Sequence, residues 1–213
     1  MGNRVIALGR QFGSGGREIG RKLSDALGFG YYDRELISLA AQRAEVDERV
    51  FEEKDEKASS PWLFKGFYDG GPRVQQGRSA EDVLFQMQSE VILELAAKEN
   101  CIIVGRCADH VLESRGLNCL SLFICAPFQW RVRHRMAIEH IDEKAAAAAV
   151  EKFDKQREKY YSHYTGRPWG LPENYDLCVN SARLGIDRTA ALLAQINRGL
   201  NDLICDLTGP ALP

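Results

Sequence analysis

Gly9-Arg10-Gln11-Phe12-Gly13-Ser14-Gly15-Gly16-Arg17-Glu18-Ile19-Gly20 follows the short apolar run Val5-Ile6-Ala7-Leu8. Beyond it Ile19, Leu23, Ala26 and Leu27 recur at helical spacing as far as Gly28, a C-cap residue. The order is strand, glycine loop, helix, with the helix starting near Gly16. Glycines placed there let backbone N–H groups converge on one point, and the first helical turn adds unpaired donors and partial positive charge. Such a point suits a phosphate. The plainer alternative is a tight turn that merely needs glycine. Gly9, Gly13, Gly15, Gly16 and Ser14, all within eight residues at the first strand–helix junction, favour the phosphate.

Outward from this loop the pattern repeats. A short extended piece at 29–32 leads to Asp33, which can cap a helix carrying Leu36, Ile37 and Ala40, and 46–54 reads as another short helix. Between 59 and 79 the composition turns to Pro, Gly and exposed-looking aromatics, the mark of a functional flap or a partly ordered loop, the flap taken as about 55–80. A long helix follows through Val83, Leu84, Met87, Val91, Leu95 and Ala96. Cys101–Val104 and 120–124 are continuous apolar runs, as in strands covered on both faces. Helices at 128–138 and 142–161, a strand at 177–179 and a terminal helix complete the chain. Strands alternating with helices predict an α/β domain with a mainly parallel sheet of about five strands, ligands gathering at the strands' carboxyl ends.

Composition limits the function classes. The 213 residues, 45% hydrophobic and 27% charged, suit a single globular domain, 1–213. A net charge of -2 gives no global field toward nucleic acid or membrane, so any polyanion must be met by clustered arginine. The longest nearly apolar stretch, 120–128, is far below the roughly 20 residues that span a bilayer, and the first residues lack a signal peptide's apolar core. Six cysteines without a C-x-x-C pair and four histidines without H-x-x-x-H spacing speak against disulfides and zinc. A cytoplasmic protein is expected, with small-molecule partners and neither nucleic acid nor membrane among them.

Three further clusters fall at strand ends or on the helices after them: Asp33-Arg34, Gly105-Arg106-Cys107-Ala108-Asp109, and Arg131, Arg133 and Arg135 with Lys155 and Arg157 on the next helix. Arginine forks match phosphate oxygens bidentately and stay charged at every relevant pH. Phosphoryl transfer between two nucleotides gathers several negative charges and needs that many cations plus magnesium. For the helical arginines the alternative is a solvated face paired with Glu139, Glu151, Asp154 or Glu158.

The runs R-Q-F-G-S-G-G-R-E-I-G, Y-Y-D-R-E-L-I, G-R-C-A-D, A-P-F-Q-W-R-V-R-H-R and Y-D-L-C-V-N-S, spread from Val5 to beyond Ile186, resemble the cytidylate kinase-like family, relatives of the P-loop nucleoside monophosphate kinases. The resemblance implies a three-layer P-loop α/β/α fold with a helical lid at about 127–165. It implies ATP as co-substrate, magnesium, and a nucleoside monophosphate acceptor, CMP or dCMP first. It places the donor phosphates on Gly13, Ser14, Gly15 and Gly16, and the acceptor at Asp33 and Arg106; Arg34 and Asp109, from the same strand-end clusters, complete the expected acceptor set. Arg131 resembles the first arginine after the fourth strand, and Asp154 to Arg157 resembles the lid element whose arginine reaches the transferring group.

The departures concern the chemistry. Gly16 stands where cytidylate kinases have the loop lysine and Glu18 where they have the magnesium-binding threonine, while Cys107 replaces the aspartate of their G-R-D element. Arg17 is adjacent and can supply the missing cation; Arg10 is a second candidate, a residue type that at such a position more often serves the structure of the loop. Glu18 can ligate magnesium, bond Arg17 or stabilise the helix start. Arg17, Arg131 and Arg157 form the expected catalytic set. A non-catalytic nucleotide-binding module, or a kinase for another small acceptor, are the competing readings.

Overall fold

Val5–Arg10 forms β1, the central strand of a five-stranded parallel sheet in the computed structural model, which describes residues 3–33, 36 and 80–207. The glycine loop follows, then α1 (Gly16–Leu27), capped by a left-handed Gly28 whose N–H returns to the Ser24 carbonyl. Next come β2 (Gly30–Tyr32), α2 (Ala80–Lys98), β3 (Cys101–Val104), α3 (Ala108–Glu113) and β4 (Leu120–Cys125). α4 (Phe128–Glu139), α5 (Glu143–Thr165), β5 (Leu177–Asn180), α6 (Ser181–Leu184) and α7 (Ile186–Leu207) complete the described chain. Arg34, most of the expected 55–80 flap and the helices expected after Asp33 lie outside the described residues.

The strand order is β2-β3-β1-β4-β5. β1 is flanked on one side by β3, in register from Val5 opposite Cys101, and on the other by β4, in register from Ile6 opposite Leu120. The chain therefore changes side of β1 between β3 and β4, which opens a crevice at the carboxyl ends of these strands.

Alternation along β1 shows that both faces are covered. Ile6 and Leu8 pack with Ile19, Leu23, Leu122 and Leu193 on the side of α1 and α7. Val5 and Ala7 pack with Leu36, Ile92, Ile103 and Leu112 on the side of α2 and α3. The continuous apolar runs are thus a consequence of three layers. A third, smaller cluster of Val132, Ala146 and Val150 joins α4 to α5, with Phe12 of the glycine loop against it. These helices occupy the span expected for a lid. Among the described residues no helix is long and apolar enough to cross a membrane. Cys101, Cys107, Cys119, Cys125 and Cys178 are free thiols.

Candidate functional site

The glycine loop opens onto a cavity of about 670 Å³ at the carboxyl ends of β1 and β3. Gly15 adopts the left-handed conformation (φ 74°) and is the N-cap of α1, with no side chain capping the helix. The first helical hydrogen bond runs from Ile19 N to the Gly15 carbonyl. The amides of Gly16, Arg17 and Glu18 precede it on the first turn, where donors have no intrahelical partner. Gly13, Gly15, Gly16, Arg17 and Glu18 all line the cavity. Ser14 does not. It is fully buried, with its N–H and Oγ both donating to the Gln11 carbonyl, and its own carbonyl accepts from Ser181 Oγ at 2.6 Å.

Four guanidiniums meet at this end of the cavity. Arg10, on the last residue of β1, is inside the crevice and donates from Nη2 to Asp33 Oδ1 at 3.1 Å. Arg17 reaches the other oxygen of Asp33 through Nε. Arg157 crosses from α5 and donates to the Arg10 carbonyl at 3.0 Å. Arg106 comes from the turn after β3 and lines the same space. Burial holds the Arg157 pKa well below its ordinary value, with Arg10 alongside adding repulsion. Burial likewise lowers Arg10, which also feels Arg17 and Arg106; Asp33 opposes this. Cations crowded and desolvated in this way are stabilised by an incoming polyanion.

The turn that carries Arg106 is unusual. Gly105, Arg106 and Cys107 are all left-handed, with φ of 78°, 57° and 52°. Two consecutive non-glycine residues in this region store strain, a feature concentrated at functional sites. The turn is held by Gly105 N donating to the Leu8 carbonyl and Ala108 N to the Gly105 carbonyl. Burial raises the thiol pKa of Cys107, so that side chain is neutral packing under the turn.

Beyond Arg106 the cavity becomes aromatic, with Tyr160, Tyr161, Tyr164, Trp169 and Tyr175 on its wall. Asp109 lies here and accepts a 2.7 Å hydrogen bond from Tyr161 Oη. Burial raises the Asp109 pKa despite that bond.

Arg131 is only 6% exposed and does not line the cavity. Its Nε donates to the Ala126 carbonyl at 3.0 Å, and Nη1 donates to the Phe12 carbonyl and to Asp154 Oδ2. Asp154 Oδ1 accepts from Phe12 N at 2.7 Å. Phe12 itself stacks on Phe153 and lies beneath the guanidiniums of Arg135 and Arg157. His134 takes the Gly13 carbonyl at Nδ1 (2.9 Å) and faces Glu18 at Nε2 (3.3 Å). Glu18 thus meets His134, while the Arg17 side chain meets Asp33.

Helical spacing explains which basic residues converge. Arg131, His134 and Arg135 share the face of α4 turned to the loop, whereas Arg133 is exposed, as is Lys155 beside the inward Arg157 on α5. Phe12 and His134 were not singled out by sequence chemistry, although the three- and four-residue spacing of Arg131, His134 and Arg135 carries the signal, whereas Asp154, named as a candidate partner for the helical arginines, pairs with Arg131.

The profile of the cytidylate kinase-like family matches residues 5–183, an interval that spans the glycine loop, the Gly105–Cys107 turn and both helices of the expected lid. The chain belongs to this family. No match was found among curated proteins. An uncharacterized protein from Eubacterium ventriosum is similar at 25% identity and a TM-score of 0.67, over 91% of this chain and 98% of that one. Shikimate kinase from Bacteroides thetaiotaomicron is similar at 15% identity and a TM-score of 0.52, over 92% and 98%. That from Acinetobacter baumannii, solved with shikimate, has 12% identity and a TM-score of 0.50, over 92% and 94%. These likenesses establish the P-loop α/β kinase fold.

Proposed function

We propose that the chain transfers the γ-phosphoryl group of ATP to a nucleoside monophosphate, CMP or dCMP before others. The observation that carries this is the meeting of Arg10, Arg17, Arg106 and Arg157 with the amides of a glycine loop in one cavity. An attacking phosphate oxygen of the acceptor forms the new bond to the γ-phosphorus as the bond to the ADP oxygen breaks. The negative charge of both partners is the obstacle, and placed guanidiniums and amides offset it.

In this reading the loop amides and Arg17 hold the donor, and Arg106, aimed by its left-handed turn, holds the acceptor phosphate. Arg157 lies between them, anchored on the Arg10 carbonyl. Asp33 sets the directions of Arg10 and Arg17. Arg131 acts as a positioning residue through Phe12 and Asp154. The aromatic wall and the Asp109–Tyr161 pair supply a surface for a planar base and its sugar, which favours a nucleotide acceptor over a small hydroxyl compound. α4 and α5 act as the lid, whose closure excludes water.

Magnesium fits as an ion carried largely by the triphosphate. Among the described residues no group of three or more His, Cys, Asp or Glu side chains could hold a metal. Glu18, half-exposed on the first turn of α1 and lining the cavity, is the residue that would complete its ligands. Bound there, the ion would neutralise charge on the transferring group.

The test is ADP formation from ATP and magnesium across a panel of nucleoside monophosphates, with the diphosphate product resolved by chromatography. Turnover on a pyrimidine monophosphate that Arg106→Ala abolishes while the fold persists is the expected result. Binding of ATP with no transfer to any monophosphate would contradict it and favour the non-catalytic module.

A further inference from the structure

We propose that Arg10 supplies the cation that phosphate loops of this type carry at the first turn of the helix, entering from the end of β1 through space that Gly16 leaves open. The inference rests on the loop's being a triphosphate site, as proposed above.

The steric evidence comes from two glycines. A Cβ added at Gly16 would lie 2.6 Å from Arg10 Cβ and 3.0 Å from its Cγ. Real side chains do not approach so closely, so the stem of Arg10 occupies the exit path of any side chain at position 16. A Cβ at Gly105 would overlap Arg10 Nη1, and Gly105 is also left-handed at φ 78°. The Arg10 side chain therefore runs from β1, past the start of α1, to the turn that presents Arg106. Removal of a side chain at 16 and the presence of a long basic one at 10 are one packing solution. The charge has moved from the helix to the strand, and the cavity keeps it.

Arg10 is also the better held of the two candidate cations. Its side chain is 14% exposed against 49% for Arg17. Nη2 is fixed on Asp33, and the residue's own carbonyl is gripped by Arg157. Nε is buried and has no hydrogen-bond partner among the described residues. A guanidinium fixed on Asp33 and lining a cavity shared with first-turn residues is preorganised for an anion. Arg17, half in solvent, must lose more conformational freedom to do the same work.

The test is titration calorimetry of the full chain with a non-hydrolysable ATP analogue and magnesium. Arg10→Met keeps the stem that packs against Gly16 and removes only the charge, so folding is preserved and checked by circular dichroism. We expect it to weaken binding by about tenfold to 100-fold, the worth of one charge-assisted hydrogen bond to phosphate. That loss should exceed the loss on Arg17→Met. In Arg10→Gly both obstructing carbons, Cβ and Cγ, are gone and the exit at position 16 is cleared, and the double variant Arg10→Gly/Gly16→Lys should regain at least about tenfold of what Arg10→Gly loses.

Arg10→Met that binds as wild type, or a larger loss on Arg17→Met, overturns the assignment. So does a double variant no tighter than Arg10→Gly. The outcomes separate this inference from the acceptor reading. Arg10-dependent binding with no transfer to any monophosphate keeps the former and discards the latter. Turnover and binding that ignore Arg10→Met do the reverse. A wild-type chain that binds no triphosphate discards both.

Discussion

Asp154→Ala tests how the glycine loop is held. The carboxylate accepts from Phe12 N with one oxygen and from Arg131 with the other, tying α5 to the loop and to α4 in one contact. Its removal leaves the Arg131 guanidinium, 6% exposed, without its counter-charge. Stranding one member of a buried ion pair costs about 3–5 kcal/mol. Two features reduce this: the Asp154 side chain is 18% exposed, and the Ala126 and Phe12 carbonyls continue to accept from Arg131. That places the charge cost near 2 kcal/mol, and the orphaned Phe12 N–H adds about 1 kcal/mol. A total of about 3 kcal/mol lowers the melting temperature by about 6–12 °C for a chain of this size. Thermal and urea unfolding followed by circular dichroism measure it. Arg131→Met/Asp154→Ala removes both charges and should recover at least half of the loss. An Asp154→Ala chain melting within about 2 °C of wild type, or a double variant less stable than the single, would refute the reasoning.

Two further perturbations probe the acceptor side. Asp109 has a folded-state pKa above the ordinary aspartate value because of burial. Its carboxyl therefore imposes no penalty while protonated in both states, and stability is lost as pH rises through the raised folded value. Urea titrations at a series of pH values should show Asp109→Asn gaining stability relative to wild type on going from pH 4 to neutral; a pH-independent difference would contradict this. Gly105→Ala meets both a left-handed backbone and the Arg10 guanidinium, so it should displace Arg10 and weaken triphosphate binding at least tenfold, the scale of one lost phosphate contact. Calorimetry showing wild-type affinity in that variant would contradict the packing of Arg10 against this turn.

β1, β3 and β4 were legible because they are buried on both faces and so read as apolar runs, whereas the edge strands β2 and β5 are only partly covered. Gly28 marked the end of α1, and the structure has five parallel strands, as expected. The order β2-β3-β1-β4-β5 is not written in any one run, since it depends on crossovers between segments far apart in sequence. α3, only six residues long, lacks enough helical periods to announce itself. The left-handed Arg106 and Cys107 are invisible to residue preference, because neither type favours that conformation. In the site, the glycine loop and the strand-end Arg106 were readable from spacing. The inward turn of Ser14 was not, since it depends on Gln11 and Ser181. The basic residues of α4 needed their helical angles before Arg133 could be separated from Arg131 and Arg135. The path of Arg10 past Gly16 to Gly105 joins residues 95 positions apart, and only packing reveals it.

The central claim is that one anion site is made by the amides at the start of α1 together with Arg10, Arg17, Arg106 and Arg157. A crystal structure of the chain with magnesium and a non-hydrolysable ATP analogue tests it directly. The account predicts the β- and γ-phosphates within hydrogen-bond reach of the Gly15–Arg17 amides, with the γ-phosphate facing Arg10 and Arg157. Phosphates bound elsewhere, or held by the loop with these guanidiniums turned away, would contradict it.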